Sequence, residues 1–392
     1  MKTVCIDCFS NLPVPATQGG AIQTRYTTLL EENEKHHRIN LIIISPYDKE
    51  AMDISKQYKY GRVVYVRRND NIKRIYNKIV AALNKLSLRE YPICNYDEAV
   101  ENYHIKRVKA DYYVTVGNGA HYYPIVKKYG IDRVIFYIQT EVRATEVSDR
   151  LFRRCVGVSD YVIHTYYKYS QWDEREGRTV HNCTDELHLR SISLSERKAV
   201  RQKLELSDND FVVLYTGRIV PDKGIEQLIQ AVSCIQNSGV KLVICGGAQS
   251  GHVVSDGYQD KIRGLVEANR DRMRMTGYIP HDQLYQYYGM ADVQVVPSLW
   301  EEAAGLVVIE GMYCGLPLII TDSGGMREYA GDCAIVVERG ENLVTDIQKN
   351  IELLRNDAEL RQKMSEEGID RARLFTREKF YHDFVNCFES WD

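Results

Sequence analysis

Phe211-Val212-Val213-Leu214-Tyr215-Thr216-Gly217-Arg218-Ile219-Val220-Pro221-Asp222-Lys223-Gly224 decides the fold of this 392-residue chain. The run 211–216 is apolar nearly throughout, as a strand covered on both faces must be. Gly217 then turns the chain, and Lys223 with Gly224 opens a helical pattern. Working outward from this strand, turn and helix, the same alternation recurs on both sides. Downstream, strands are expected at 241–245, 293–296 and 318–321, with helices near 259–267 and from 304. Upstream, strands are expected at 3–8, 39–45, 62–66, 112–116, 134–138 and 161–164. Helical stretches separate them, the first opened by Gly19-Gly20 and running to Glu34. Alternation at this pitch means open parallel sheets covered by helices, here two in tandem with a cleft between them.

Composition bounds the rest. At 44% hydrophobic and 27% charged, with 26 Gly and 9 Pro, the chain is globular and long enough for two domains. Apolar runs such as 41–44 fall far short of the roughly 20 residues of a membrane span. Residues 1–9 alternate like a strand, with Asp7 interrupting, and show no secretory h-region, so a cytoplasmic location is expected. Of the ten cysteines only Cys5 and Cys8 are close, and a lone pair reads as reduced core thiols. Residues 1–180 carry 28 Lys/Arg against 21 Asp/Glu, and residues 181–392 carry 23 against 33. Opposite balances suggest two domains, with the boundary at 182/183 after the charged stretch 173–178. The basic half is the candidate for an anionic surface.

Three groups of residues carry chemistry. Arg218 and Lys223 follow a buried strand, where ligands of open α/β sheets bind, and two cations there suit a diphosphate. By themselves they read equally well as a solvated loop. Glu302 lies on the loop after the strand 293–296, and Glu310 lies in an apolar helix where an unpaired carboxylate would be costly. That helix predicts a partner for Glu310. Between the two acids, the amides of Ala304, Gly305 and Leu306 are unsatisfied donors, and carboxylates in such a place accept hydrogen bonds from sugar hydroxyls.

Together with Gly277-Tyr278-Ile279-Pro280, Ala291-Asp292, Pro297-Ser298 and Gly324-Gly325 followed by Glu328, this set resembles glycosyltransferase family 4. In the first half Gly19-Gly20-Ala21 resembles the family's glycine-rich loop, and 180–185 its interdomain entry. The resemblance implies the GT-B fold, two Rossmann-like domains facing a central cleft. They are an acceptor domain at 1–182 and a donor domain at 183–374, with a last helix at 375–392 returning to the first. It implies a retaining transferase that moves a hexose from a nucleotide diphosphate sugar, in the first place a UDP-sugar, to a glycan or lipid-linked hydroxyl. The bacterial surface-polysaccharide and spore-coat enzymes are the nearest type. Glu310 would bind the ribose and Glu302 the donor sugar. Arg218 and Lys223 would neutralise the leaving diphosphate. The amides of 304–306 and of Gly19 and Gly20 would add donors, and Tyr278 and Ile279 would line the base pocket.

One departure is Gln139-Thr140-Glu141, where related sequences often carry a histidine. Gln139 can bond a sugar hydroxyl but cannot shuttle a proton. His121 is an alternative, although it also reads as a surface histidine beginning a helix. Asp208-Asn209-Asp210 reads as a turn, and with two cations present no metal and no bound cofactor is called for. Two further functions stay open: a nucleotide-sugar epimerase of the same fold, and a non-catalytic nucleotide-sugar-binding coat component. No G-x-G-x-x-G follows either first strand, which disfavours an NAD enzyme. Finally, 67–89 combines Arg67, Arg68, Lys73, Arg74, Lys78, Lys85 and Arg89 with an apolar stripe (Ile72, Ile75, Tyr76, Ile79, Val80, Leu83, Leu86). Such a helix either docks on an anionic membrane or packs its stripe on the sheet. Aromatics are not interleaved as stacking platforms, so nucleic acid is not an expected partner.

Overall fold

The computed structural model describes residues 1–8, 11–86, 91–237, 239–247 and 257–391. They form two compact units, Met1–His181 with the segment from Arg377 onward, and Asn182–Thr376. The first holds a seven-stranded parallel sheet: β1 (Thr3–Asp7), β2 (Asn40–Pro46), β3 (Gly61–Val66), β4 (Tyr112–Thr115), β5 (Val134–Ile138), β6 (Arg154–Gly157) and β7 (Gly177–Thr179). Its order is β3-β2-β1-β4-β5-β6-β7. The second holds six parallel strands: β8 (Phe211–Thr216), β9 (Val240–Cys245), β10 (Met273–Gly277), β11 (Val293–Val296), β12 (Leu318–Thr321) and β13 (Ala334–Val337). They run β10-β9-β8-β11-β12-β13.

A parallel sheet must be covered on both faces, and β8 shows how the sequence does this. Val213 and Tyr215 pack with Ile225, Leu228 and Val232 of the helix Ile225–Cys234, whereas Val212 and Leu214 pack with Tyr288 and Met290 on the other face. Asp292 locks this arrangement. Its Oδ2 accepts from the Val212 amide at 2.7 Å and from Arg201 at 2.8 Å, and its Oδ1 accepts from Arg197 at 2.6 Å. The acid of the Ala291-Asp292 motif is therefore structural, tying the helix Leu194–Lys203 to β8.

In the first unit the helix Arg377–Glu389 buries Phe380, Phe384, Val385 and Phe388. Tyr381 donates to Asn33 at 2.6 Å and accepts from the Arg38 amide at 3.0 Å. Each buried aromatic contributes about 1.5–3 kcal/mol, which is ample to hold this helix.

Several local expectations need correction. Residues 161–164 are not a strand. They lie in the helix Asp160–Tyr167, whose start is capped by Ser159 accepting from the Val162 amide, and the strand is β6 just upstream. A four-residue apolar run does not separate strand from buried helix, and the Ser-Asp cap decides it. β7, β10 and β13 carry no strand signal in the sequence because they are short or half polar. Lys223 and Gly224 precede the next helix; it begins at Ile225, after a turn of 3-10 helix at Pro221–Lys223. The basic segment is a helix over Asp70–Leu86, and Arg89 lies outside the described residues.

Candidate functional site

In the second unit strand order reverses between β8 and β11, the place where open α/β sheets bind ligands. Two loops leave the carboxyl ends of these strands and are stitched together. The Leu299 amide donates to the Asp222 carbonyl at 2.8 Å, and Gly224, at φ 66°, lies so close to Pro297 that any side chain would overlap its carbonyl. Gly224 thus fulfils two demands at once, a left-handed backbone and a backbone-to-backbone approach.

This stitching brings Lys223 onto Glu302, and the two form an ion pair. Ser298 Oγ donates to the same carboxylate oxygen at 2.6 Å. The Glu302 carbonyl accepts from the Gly325 amide at 2.6 Å, and Thr321 Oγ1 donates to the Ser298 carbonyl at 2.7 Å, so the β12 end and its glycine pair hold the loop from below. Arg218 is exposed on the β8 loop. Among the described residues, the amides of Ala304, Gly305 and Leu306 find no acceptor within the chain. They precede or open the helix Leu306–Tyr313.

Glu310, on that helix, has the partner its apolar setting demanded. Tyr288 donates to Oε2 at 2.6 Å, and His281 Nε2 stands 3.1 Å from Oε1. Behind them Thr216 Oγ1 lies 3.0 Å from the Tyr288 hydroxyl, and Gln294 Nε2 donates to Thr216 at 3.0 Å. The hydrogen bond with Glu310 raises the pKa of His281 against the lowering effect of burial. Burial, followed by the Glu310 charge, raises Tyr288 well above the ordinary phenol range. Tyr288, Thr216 and Gln294 were not singled out from the sequence, although the need for a Glu310 partner pointed toward them. His281 follows directly on the Tyr278-Ile279-Pro280 motif. Tyr278 is exposed, whereas Ile279 packs inward beside Tyr287 and Tyr288.

The first-unit candidates sit as follows. Gly19 and Gly20, at φ 75° and 98°, lead into the helix Ala21–His36. Gln139 follows β5 and is already engaged: its amide donates to Tyr26 at 3.1 Å and its oxygen accepts from Arg25. Glu141 is half-buried nearby in sequence. His121 is not a surface residue. Its ring is largely buried against Tyr122, and desolvation pushes its pKa down to about 4.

Residues 196–371 match the model of "Glycosyl transferases group 1". The match covers 176 of the 392 residues, all within the second unit, so the likeness to that family is a likeness of this unit. The chain is 34% identical over 138 residues to a lipopolysaccharide 1,2-N-acetylglucosaminetransferase of Salmonella typhimurium, covering 34% of this chain and 36% of that protein. The putative glycosyltransferase YtcC of Bacillus subtilis is 34% identical over 184 residues, with 46% and 45% covered. The chain thus spans less than half the length of these two curated relatives. Spore coat protein SA of Bacillus subtilis is 25% identical over 336 residues, with 84% and 82% covered. The Anabaena protein Alr3699/HepE, solved in complex with UDP and glucose, has a TM-score of 0.73 at 16% identity over the whole of both chains. That likeness shows the fold, the GT-B pairing of two parallel-sheet units.

Proposed function

We propose that the whole chain belongs to that group and is a retaining hexosyltransferase of family 4 type that uses a UDP-sugar and a glycan or lipid-linked hydroxyl acceptor. The observation that carries the reading is the Lys223–Glu302–Ser298 cluster beside the unsatisfied amides 304–306, one helix turn from buried Glu310. Glu310 has two oxygens, each with capacity left for a ribose hydroxyl while Tyr288 and His281 hold its orientation. Glu302 accepts from donor-sugar hydroxyls. Lys223 and Arg218 face the diphosphate, and the amides 304–306 add neutral donors. In the reaction the bond from the anomeric carbon to the phosphate oxygen breaks. The acceptor oxygen bonds to that carbon on the same face, and its proton passes to the departing phosphate. Lys223 and Arg218 stabilise the charge left there without a divalent ion, as preorganised cations do in a partly dehydrated site. In the first unit we assign Gly19 and Gly20 to phosphate, and Gln139 and Glu141 to sugars. The buried ring of His121 takes no part.

The workplace we infer is the cytoplasmic face of an anionic membrane. No helix among the described residues is long and apolar enough to cross one. The helix Asp70–Leu86, however, leaves Ile72, Ile75, Ile79, Leu83 and Leu86 between 47 and 84% exposed, with Val80 its one buried residue. The larger part of the stripe therefore faces solvent, while Tyr76 and Val80 turn inward; Asn77 and Asn84 also face inward and donate to or accept from the chain around Ile93–Tyr96. An exposed apolar stripe flanked by Arg74, Lys78 and Lys85 suits a headgroup boundary. Sedimentation with phosphatidylglycerol vesicles should carry the wild type down, and Ile75→Glu/Ile79→Glu should stay in solution. Equal sedimentation of both refutes the membrane role.

A thermal-shift screen of nucleotide sugars tests the main reading, since a cognate donor stabilises the folded state by mass action. A shift with one UDP-sugar, and sugar transfer with retained anomeric configuration, is expected. Conversion of that donor without any acceptor would make the chain an epimerase instead.

A further inference from the structure

Away from the donor site, His36 ends the helix Ala21–His36, and Glu378 and His382 stand one turn apart on the helix Arg377–Glu389, all within the first unit. Residues four apart on a helix face the same way. Glu378 Oε1 lies 3.7 Å from both His36 Nε2 and His382 Nε2, and the three atoms fall within 4.8 Å of one another. These separations are too long for hydrogen bonds. Buried Glu32, one turn before His36, brings its Oε2 to 3.8 Å from His36 Nε2. A tetrahedral zinc ion with bonds of about 2.1 Å holds its ligands about 3.4 Å apart, so the two 3.7 Å pairs need to close by tenths of an ångström and the remaining pair, within 4.8 Å, by at most about 1.4 Å.

We propose that His36, Glu378 and His382 bind a divalent transition metal of the zinc class, with water completing its shell, that clips the C-terminal helix onto the first helix. Imidazole with carboxylate favours such ions over calcium or magnesium. The surrounding cations set the terms. Lys35 holds Glu32 Oε1 at 2.7 Å and Arg377 reaches the same oxygen at 3.4 Å, so Glu32 is engaged by cations beside the three ligands. Arg38 Nη1 lies 3.0 Å from His382 Nδ1. A metal on Nε2 puts the ring proton on Nδ1, which Arg38 cannot accept. Metal capture therefore turns that nitrogen away, while Arg38 keeps Asn386 at 3.0 Å and Glu389 at 2.7 Å.

The test is titration of the EDTA-stripped full chain with Co2+, followed by displacement with Zn2+. One equivalent should bind with the weak visible absorption of nitrogen and oxygen ligands, and the melting midpoint should rise with metal concentration. His36→Ala, His382→Ala and the exposed-site change Glu378→Gln should each weaken binding at least about tenfold with the metal-free midpoint unchanged. Arg38→Gln, which offers an oxygen to the Nδ1 proton, should tighten it. Three results overturn the proposal: no Co2+ bound, an intense thiolate-to-cobalt band placing the ion on cysteines, or unchanged affinity in the His36→Ala/His382→Ala double variant.

Discussion

Both sheets reverse strand order beside their first strand, at β1/β4 in the first unit and β8/β11 in the second, yet the two crevices hold opposite chemistry. At the end of β1 sits Asp7, fully buried, accepting from the Tyr122 hydroxyl at 2.9 Å. Close by, Glu101 is buried and accepts from Arg68, which also donates to Asn11 at 3.1 Å. Burial raises the pKa of both acids, and the Asp7 charge raises Glu101 further. At the ends of β8 and β11 the corresponding cation and acid, Lys223 and Glu302, are partly open to solvent, with unsatisfied amides alongside. Topology provides a crevice twice. The second leaves its acid and cation reachable, whereas the first ties Asp7 and Glu101 into a buried network with Tyr122 and Arg68.

The comparison can be broken first at the second crevice. Lys223→Ala and Glu310→Ala should each weaken UDP-sugar binding by roughly ten- to a hundredfold, the loss of charge-assisted hydrogen bonds, measured by calorimetry with folding monitored separately. Arg68→Ala, the matching change in the first unit, should leave donor affinity intact and cost about 1–3 kcal/mol in denaturant unfolding, because Glu101 and Asn11 lose their donor. Smaller still is the pH effect of Asp7. An acid whose folded pKa is raised binds its proton more tightly when folded. Its contribution is complete below the ordinary carboxylate range and is lost as pH rises through the raised value. Asp7→Asn should therefore flatten the fall in melting midpoint on the alkaline side by a few degrees. His281 supplies the smallest effect. Its raised pKa adds stability at low pH that disappears as pH passes through the folded value, and half-exposure of the ring mutes it. His281→Ala should remove a shallow acidic-side dependence of nucleotide binding and little else.

Legibility in the sequence followed physical cause. β8 and β5 were visible because strands covered on both faces are apolar throughout. The partner of Glu310 was foreseeable as a need, since a carboxylate in an apolar helix cannot stand alone, but its identity was not, because Tyr288 is distant in sequence. In the sequence Lys223 and Glu302 stand as separate tools for phosphate and for sugar. Their pairing depends on the close approach of Gly224 to Pro297, a three-dimensional fact no local pattern carries. The stripe on Asp70–Leu86 was plain, whereas its exposure was decided by Asn77 and Asn84, the polar residues that turn the helix's other side inward. His121 was misjudged for the same reason: a polar residue opening a turn looks exposed until the packing of Tyr122 is known.

The central claim is that the nucleotide diphosphate sits at the β8/β11 crevice, with ribose on Glu310 and phosphate on Lys223. A crystal of the protein soaked with UDP tests this most directly. The account expects density with ribose hydroxyls at hydrogen-bond distance from the Glu310 carboxylate and phosphate oxygens against Lys223 and the amides 304–306. Well-ordered UDP bound anywhere else, with Lys223 still closed on Glu302, contradicts it.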